Sequence, residues 1–171
     1  MGITLRQVEA NDITTIKSWL ANKNNNIWLD SMFREDAFDD IRIAVMFMKK
    51  SNKTYIYEVH GKMAGIVGLT DIDLNNRSGM LWYVLGDKAF ARTGITTEAV
   101  KIFTKMCFNE FGLHSIHAWS VIDNKASCRI LEKDGLKLIG RQRECHYMGN
   151  IYKDRLLFDI TIEDFNKLYA I

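Results

Sequence analysis

The chain has 171 residues, of which 47% are hydrophobic and 26% charged, with a formal net charge of +2. These proportions predict one folded domain over residues 1–171 and exclude a disordered or fibrous chain. The small charge and the lack of any long Lys/Arg run argue against a nucleic-acid partner. Three widely spaced cysteines predict neither a disulfide framework nor a metal site, and they fit a reducing cytoplasm. No apolar run reaches the roughly 18 residues that span a bilayer, so no membrane partner is expected.

The first half of the chain reads as one strand, two helices and three strands. "ITLRQV" predicts a strand, and Asn11 or Asp12 then caps a helix with Ile13, Ile16 and Leu20 on one face. "NKNNN" interrupts the pattern, and a second amphipathic helix follows, marked by Phe38, Ile41, Val45 and Met48. The strands "TYIYEV" and "MAGIVGLTDID" flank the turn "HGK" as a hairpin, and "GMLWYVL" is the next strand.

The second half continues with a long helix over 96–111 and a strand "SIHAWSV". A short helix follows in "DNKASCRILEKDG", then a hairpin of "LIGRQRECHY" and "IYKDRLLFDI", and a last helix in "TIEDFNKLYAI". The order predicts an α/β (α+β) fold with a central mixed, mostly antiparallel, twisted sheet of about seven strands flanked by helices.

The stretch "ARTGITTEA" places Gly94 between a predicted strand and a helix N-terminus. The first amides of a helix lack intrahelical acceptors and the helix dipole is positive there, so this arrangement favours a phosphate group. The Gly-Lys-Ser/Thr of a P-loop and the three glycines of a dinucleotide fingerprint are both missing. Gly94 alone is equally typical of a tight loop.

The element order, together with "LGDKAFARTGITTEAV" and "VIDNKASCRILEKDGL", resembles the GNAT superfamily of N-acetyltransferases, in its RimJ/RimL-like branch, over nearly the whole chain. The resemblance implies that acetyl-coenzyme A is the acetyl donor, with no metal cofactor. Its pyrophosphate would lie on the loop amides of Ala91, Arg92, Thr93, Gly94, Ile95, Thr96 and Thr97. Asn124 and Ser127 would line the groove for the pantetheine arm, although Asn124 also reads as a plain helix cap.

Three positions depart from the family pattern. Ala91 stands where Gln, Arg or a bulky residue is common, and Thr96 stands where Gly or Ala is usual. The charge of Arg92 and the hydroxyls of Thr93, Thr96 and Thr97 are expected to compensate. Leu131 replaces the tyrosine that serves as general acid in many relatives.

The resemblance also implies direct attack of an amine on the thioester in a ternary complex, with no cysteine nucleophile. A backbone N–H of Tyr83, Val84 or Leu85 would polarise the carbonyl. Because a leaving thiolate needs no strong acid, Ser127 is the candidate that stabilises or protonates it. Glu58 is the first candidate for general base, ahead of Asp71, Asp73, Glu144 or a water chain.

The acceptor would bind near "NKNNNIWLDSMF" and "ECHYMGNIYKDR", where Trp28, Phe33, His146 and Tyr147 offer ring faces and polar tips. The basic hairpin suits a phosphate-bearing amino sugar, whereas "REDAFDD" suits a polyamine; both are also typical of solvated surfaces. The leading hypothesis is acetyl transfer to the primary amine of a small molecule, by a monomer or homodimer. The alternatives are a protein N-terminal (ribosomal-protein-type) acetyltransferase and a non-catalytic acyl-coenzyme A binding module.

Overall fold

The computed structural model describes residues 2–33, 40–48 and 53–169. The strands are β1 (Ile3–Gln7), β2 (Lys53–Val59), β3 (Lys62–Asp73), β4 (Ser78–Leu85), β5 (Ser115–Val121), β6 (Lys137–Met148) and β7 (Ile151–Thr161). The helices are α1 (Ile13–Ala21), α2 (Lys23–Asn26), α3 (Asp40–Met48), α4 (Ile95–Asn109), α5 (Lys125–Lys133) and α6 (Ile162–Tyr169). Each predicted strand and helix is therefore present, and "NKNNN", expected to break the pattern, contains the short helix α2.

The strands form one sheet in the order β1-β2-β3-β4-β5-β7-β6. The pairs β1–β2, β2–β3, β5–β7 and β6–β7 are antiparallel, and β4 pairs in parallel with β5. The parallel ladder joins Ser78–Met80 to Ser115–His117. This arrangement confirms the predicted α/β fold with a mixed sheet of seven strands and flanking helices.

The described residues fall into two compact units, one from 1–70 and 82–99 and the other from 71–81 and 100–171. The single domain over residues 1–171 stays a prediction. In the first unit, Ile13, Ile16 and Leu20 of α1 are buried, as their spacing predicts, in a cluster with Ile56 and Ile66. This cluster holds α1 against β2 and β3.

Helix α3 is present, but its predicted buried face is wrong. Ile41 and Val45 are 75% and 63% exposed, whereas Ile43 and Phe47 are buried. Phe38 and the side chain of Met48 lie outside the described residues. The sequence "DIRIAVMFM" is apolar almost all round, so its periodicity does not choose a face. The aromatic contact of Phe47 with Trp82, at 5.5 Å between ring centroids, shows which face packs inward.

The β2–β3 hairpin turns at His60 and Gly61, which have φ angles of 50° and 75°. Two successive left-handed residues make the tight turn whose twist matches that of the flanking strands. The sequence prediction of a hairpin at "HGK" is confirmed. Its register runs from Lys53 opposite Leu69 to Val59 opposite Lys62.

In the second unit, α6 packs its Phe165 ring on Phe108 of α4, with centroids 4.6 Å apart. The buried carboxylate of Asp134, which follows α5, accepts a hydrogen bond from the Thr104 hydroxyl at 2.6 Å. The β6–β7 hairpin contains a bulge, because its register shifts between Gln142 and His146. Asp154 of β7 holds the bulge by accepting the backbone N–H of Glu144 at 2.8 Å.

Candidate active site

The loop between β4 and α4 is anchored at its first residues. The backbone N–H groups of Gly86 and Asp87 both donate to the carbonyl of Ala64, at 2.9 and 3.0 Å. A Cβ on Gly86 would lie 2.1 Å from the ring of Trp19, so only glycine lets the strand end lie against α1. Lys88 donates to the side chain of Asn25 in α2 and to the carbonyl of Leu85. The loop therefore leaves the sheet in a fixed direction.

The end of the same loop has two left-handed residues directly before α4. Arg92 has a φ of 63° and Gly94 a φ of 83°, and Ala91 through Gly94 are exposed. A backbone that alternates into the left-handed region turns neighbouring N–H groups into a shared concavity that suits an anion. The first helical bond runs from the N–H of Glu98 to the carbonyl of Gly94, so the amides of Ile95, Thr96 and Thr97 have no intrahelical acceptor. This geometry fits a phosphate group.

A Cβ placed on Gly94 would have no atom within 4 Å. The glycine is therefore needed for its backbone angle and for the open surface above it, and not for tight packing within the protein. The open space at Gly94 lies directly before the helix amides along the chain.

Two of the three loop hydroxyls expected to compensate, those of Thr93 and Thr96, are engaged within the protein. The Thr93 hydroxyl donates to the carbonyl of Phe90 at 2.6 Å. The Thr96 Oγ1 lies 3.2 Å from the Tyr57 hydroxyl, and that hydroxyl lies 3.1 Å from the carbonyl oxygen of Val84. A carbonyl only accepts, so Tyr57 donates to Val84 and Thr96 must donate to Tyr57. Thr93 and Thr96 thus have no hydroxyl proton left for a phosphate, and that expectation is wrong for both side chains.

Tyr57 is a residue that the sequence analysis missed. Its side chain is fully buried, and burial raises the pKa of its phenol well above the ordinary value. The hydroxyl is therefore protonated, and thus a donor, throughout the pH range of ordinary assays. Gly65 lies opposite Tyr57 in the β2–β3 register, and a Cβ there would lie 2.3 Å from the hydroxyl oxygen. The only sequence signal was a tyrosine in β2 beside a glycine in β3.

The second unit contains the other predicted cofactor residues. The side-chain oxygen of Asn124 accepts the backbone N–H of Ser127 at 3.2 Å and caps α5. The capping interpretation is confirmed, and the cap uses the backbone N–H of Ser127, whose side chain is half-buried. Leu131 is fully buried in the same helix, as a packing residue without a proton to donate.

Glu58, the first candidate for general base, forms an ion pair. Its carboxylate accepts from Arg6 Nε at 2.7 Å, and the same guanidinium binds both oxygens of Asp12, at 2.6 and 2.8 Å. The hydrogen bonds from Arg6 hold the pKa of Asp12 below its usual value. Asp12 also accepts the backbone N–H of Glu9, so it stands at the N-cap of α1 without capping it. Arg6 thus occupies one oxygen of the Glu58 carboxylate.

The other candidate carboxylates lie in strands, Asp71 and Asp73 at the end of β3 and Glu144 in β6. Asp73 accepts the backbone N–H groups of Asn75 and Asn76, both at 2.9 Å, and the bond from Asn76 is the main cause of its lowered pKa. Asp71 and Glu144 both have left-handed backbone angles, with φ of 50° and 52°. Asp71 and Glu144 are exposed and Asp73 half-buried.

The predicted acceptor residues are divided between the two units. Trp28 is half-buried beside α2. The ring centroid of Phe33 lies 6.0 Å from that of Trp82, and Phe33 packs against the core of the first unit. In the second unit Tyr147 is 50% exposed and lies 4.9 Å from Tyr152.

His146 is fully buried, which corrects the expectation that its polar tip faces an acceptor. Its Nδ1 lies 3.3 and 3.1 Å from Nε and Nη2 of Arg155. Because a guanidinium only donates, Nδ1 acts as the acceptor and the imidazole is neutral. The guanidinium of Arg155 also stacks 3.6 Å above the ring of Trp119.

A sheet strand that leads through an amide-rich, left-handed loop into a helix N-terminus defines a class of α/β protein that binds phosphate-bearing cofactors. Residues 3–137 match the acetyltransferase (GNAT) domain family, and the chain belongs to that family of acyl-transferring enzymes.

Two relatives from Bacillus subtilis are similar to the chain. The probable N-acetyltransferase YjcK is 35% identical over 78 residues, which are 46% of this chain and 43% of that protein, so this match spans less than half of YjcK. The putative ribosomal N-acetyltransferase YdaF is 21% identical over 168 residues, with 92% and 90% of the two chains covered.

Solved structures share the fold. The spermidine N-acetyltransferase of Vibrio cholerae in complex with CoA and spermine has a TM-score of 0.84 at 19% identity, with 95% of this chain and 97% of that chain covered. A GNAT-family acetyltransferase from Bacillus anthracis has a TM-score of 0.78 at 20% identity, with 94% and 95% covered.

Within residues 2–33, 40–48 and 53–169, no helix has the length and apolar character needed to cross a membrane. The same described residues contain no group of three or more His, Cys, Asp and Glu side chains placed to hold a metal ion.

Proposed function

We propose that this protein is an acetyl-coenzyme A dependent N-acetyltransferase that acts on the primary amine of a small molecule, within the RimJ/RimL-like branch of its family. The observation that carries the proposal is the Gly94 loop, whose left-handed residues and free helix amides suit the pyrophosphate of the coenzyme. Bound there, the coenzyme supplies an acetyl thioester. The location in a reducing cytoplasm remains part of the prediction.

The reaction needs few groups from the protein. The neutral amine attacks the thioester carbonyl carbon, a C–N bond forms, the C–S bond breaks, and the thiolate leaves. A backbone N–H within Tyr83–Leu85 stabilises the developing oxyanion, and the Ser127 hydroxyl stabilises or protonates the thiolate. The amine proton goes to Glu58 or to water, and the ion pair of Glu58 with Arg6 favours water.

A polyamine is the acceptor that we test first. The V. cholerae neighbours are described as spermidine N-acetyltransferases, and three of the hairpin cations already have partners. Arg141 pairs with Asp154, Lys153 pairs with Asp123 at 2.7 Å, and Arg155 is engaged by His146 and Trp119. Since these charges already have partners, they offer less to the phosphate of a nucleotide-linked amino sugar.

The test is thiol release from acetyl-coenzyme A with spermidine, spermine, glucosamine, a nucleotide-linked amino sugar and N-terminal peptides of ribosomal proteins. We expect the highest kcat/KM with polyamines. Preferred acetylation of the peptides would support the protein N-terminal activity, which the name of YdaF suggests. Coenzyme binding without release across the whole panel would support the non-catalytic module and overturn our proposal.

A further inference from the structure

Two hydroxyl groups, of Thr96 and Tyr57, form a chain of hydrogen bonds that ends on the Val84–Leu85 peptide of β4. The N–H of this peptide is one of the three candidate donors to the thioester carbonyl. The carbonyl oxygen of Val84 accepts the Tyr57 hydroxyl at 3.1 Å, and it belongs to the peptide whose nitrogen is that of Leu85. No cis peptide is present in the described chain, so the N–H of Leu85 points opposite to that carbonyl. Holding the Val84 oxygen toward Tyr57 and Gly65 therefore aims the Leu85 N–H away from them.

The same hydroxyl is held in turn by the start of α4. Thr96 is the second residue of that helix. Its hydroxyl must donate to the Tyr57 oxygen, because the single hydroxyl proton of Tyr57 is already donated to the Val84 carbonyl. Successive hydrogen bonds in one direction strengthen each other in a low-dielectric interior. A carbonyl that accepts a hydrogen bond also makes the N–H of its own peptide a better donor. The chain Thr96 to Tyr57 to Val84 thus both orients and strengthens the Leu85 N–H.

The arrangement is built into the sheet. Tyr57 is fully buried, and Gly65 leaves room for its hydroxyl, since a Cβ there would lie 2.3 Å from both the tyrosine oxygen and the Val84 oxygen. Leu85 also lies beyond Ser78–Met80, the three residues through which β4 pairs with β5. This chain has Thr96 where the family pattern has Gly or Ala. The hydrogen bond to Tyr57 explains the difference, since a glycine or alanine has no hydroxyl to donate.

We infer that Tyr57 is a positioning residue for acetyl transfer, which with Thr96 aims the backbone N–H of Leu85 at the thioester carbonyl. The inference rests on the proposed function. Of the three candidate residues, it selects Leu85, and not Tyr83 or Val84, as the donor to the oxyanion. It also gives the Thr96 hydroxyl the role of orienting Tyr57 and not that of binding phosphate.

The test compares Tyr57→Phe, Thr96→Val and Thr96→Ser with the wild type under saturating acetyl-coenzyme A and acceptor. Phenylalanine keeps the buried ring, valine keeps the shape of threonine without its hydroxyl, and serine keeps the hydroxyl. We expect Tyr57→Phe to lower kcat about tenfold or more, because a misaimed oxyanion donor costs transition-state stabilisation. The Kd for coenzyme A by calorimetry should change by less than about twofold.

Thr96→Val should lower kcat in the same direction by a smaller factor, and Thr96→Ser should restore it. Tyr55→Phe is the matched control, since it removes a hydroxyl from another buried tyrosine of β2 and should leave kcat unchanged. If Tyr57→Phe does not fold, the contrast between valine and serine at position 96 decides the inference.

Two results would overturn the inference with the proposed function intact: wild-type kcat in Tyr57→Phe, or equal kcat in the valine and serine variants of Thr96. A wild-type protein that binds no coenzyme A, or releases no thiol with any acceptor, would instead overturn the proposed function and the inference with it. Thermal melts of all variants separate a loss of fold from a loss of rate.

Discussion

The backbone angles of two residues in the Gly94 loop determine how the loop presents its amides to an anion. Arg92 and Gly94 both lie in the left-handed region, where a side chain costs about 1–2 kcal/mol and glycine costs nothing. The loop therefore uses one strained residue and one unstrained residue to present the amides before α4. Arg92 adds an exposed charge at the same place, of the kind that salt screens readily.

Gly94→Val should reduce the affinity for coenzyme A by at least about tenfold. The branched side chain strains the left-handed backbone and covers the open surface over the helix amides. Isothermal titration of the folded variant with coenzyme A measures the change.

Gly61→Val is the matched control for that variant. Gly61 has a φ of 75° and, like Gly94, no atom within 4 Å of an added Cβ, so the two variants should lose similar stability. Only the change at position 94 should lose affinity. Equal coenzyme affinity in both variants would show that the pyrophosphate does not bind at this loop.

Arg6 gives a second prediction at the residue scale. Its bonds hold the pKa of Asp12 below the ordinary value, so the stabilisation from Asp12 is complete above about pH 4, its unfolded pKa, and is lost as the pH falls through the folded pKa. Arg6→Met should therefore lower the free energy of unfolding by about 1–3 kcal/mol at pH 7 and by less at pH 2–3. Urea unfolding at both pH values measures this difference.

Lys167→Met serves as the comparison, because Lys167 and Glu163 form an exposed pair within α6. That variant should change little at either pH. A deficit of Arg6→Met that stays constant from pH 7 to pH 2 would show that Asp12 is not its cause.

The N-terminus of α5 has a capping residue, Asn124, and the proposed thiolate partner, Ser127, in one helical turn. Asn124 caps the helix through the backbone N–H of Ser127, so the cap does not depend on the serine hydroxyl. The two side chains can thus be changed independently, although they lie three residues apart.

Asn124→Ala should lower the free energy of unfolding by about 1 kcal/mol, the usual cost of a lost N-cap. Ser127→Ala should keep that stability and lower kcat about tenfold, with little change in coenzyme affinity, because thiolate stabilisation appears only in the transition state. Thermal melts and steady-state kinetics on both variants give the comparison. A normal kcat in Ser127→Ala would leave protonation of the thiolate to water.

At the scale of the whole molecule, the three cysteines report on both folding and mechanism. Cys107 and Cys128 are buried in α4 and α5, whereas Cys145 is exposed in the bulge of β6. The direct-attack mechanism needs no thiol nucleophile, so the cysteines should differ in reactivity without affecting turnover.

A disulfide reagent should therefore titrate one thiol rapidly in the native protein and three in denaturant, following the exposure of each side chain. Cys145→Ser should abolish the fast phase and keep turnover. Loss of all turnover in a folded triple Cys→Ala variant, or a trapped acetyl-cysteine, would count against direct attack.

Sequence patterns alone predict the element order, the α1 face, the β2–β3 turn and the anion-suited start of α4. Each of these depends on residues that are neighbours in the chain: a 3.6-residue period at Ile13, Ile16 and Leu20, or the permissive backbone of Gly61 and Gly94. Local patterns of this kind are visible before folding. Helix α3 marks their limit, since an almost uniformly apolar helix has no preferred face until Trp82 meets Phe47.

Which polar groups are already engaged becomes visible only in the folded chain. The Tyr57 hydroxyl meets Thr96 and Val84, residues 39 and 27 positions away, and Arg6 meets Glu58 52 positions away. The burial of His146 against Arg155 arises from the pairing of β6 with β7 around a bulge. A hydrogen bond forms between groups that are close in space. Strand pairing brings such groups together whatever their separation along the chain.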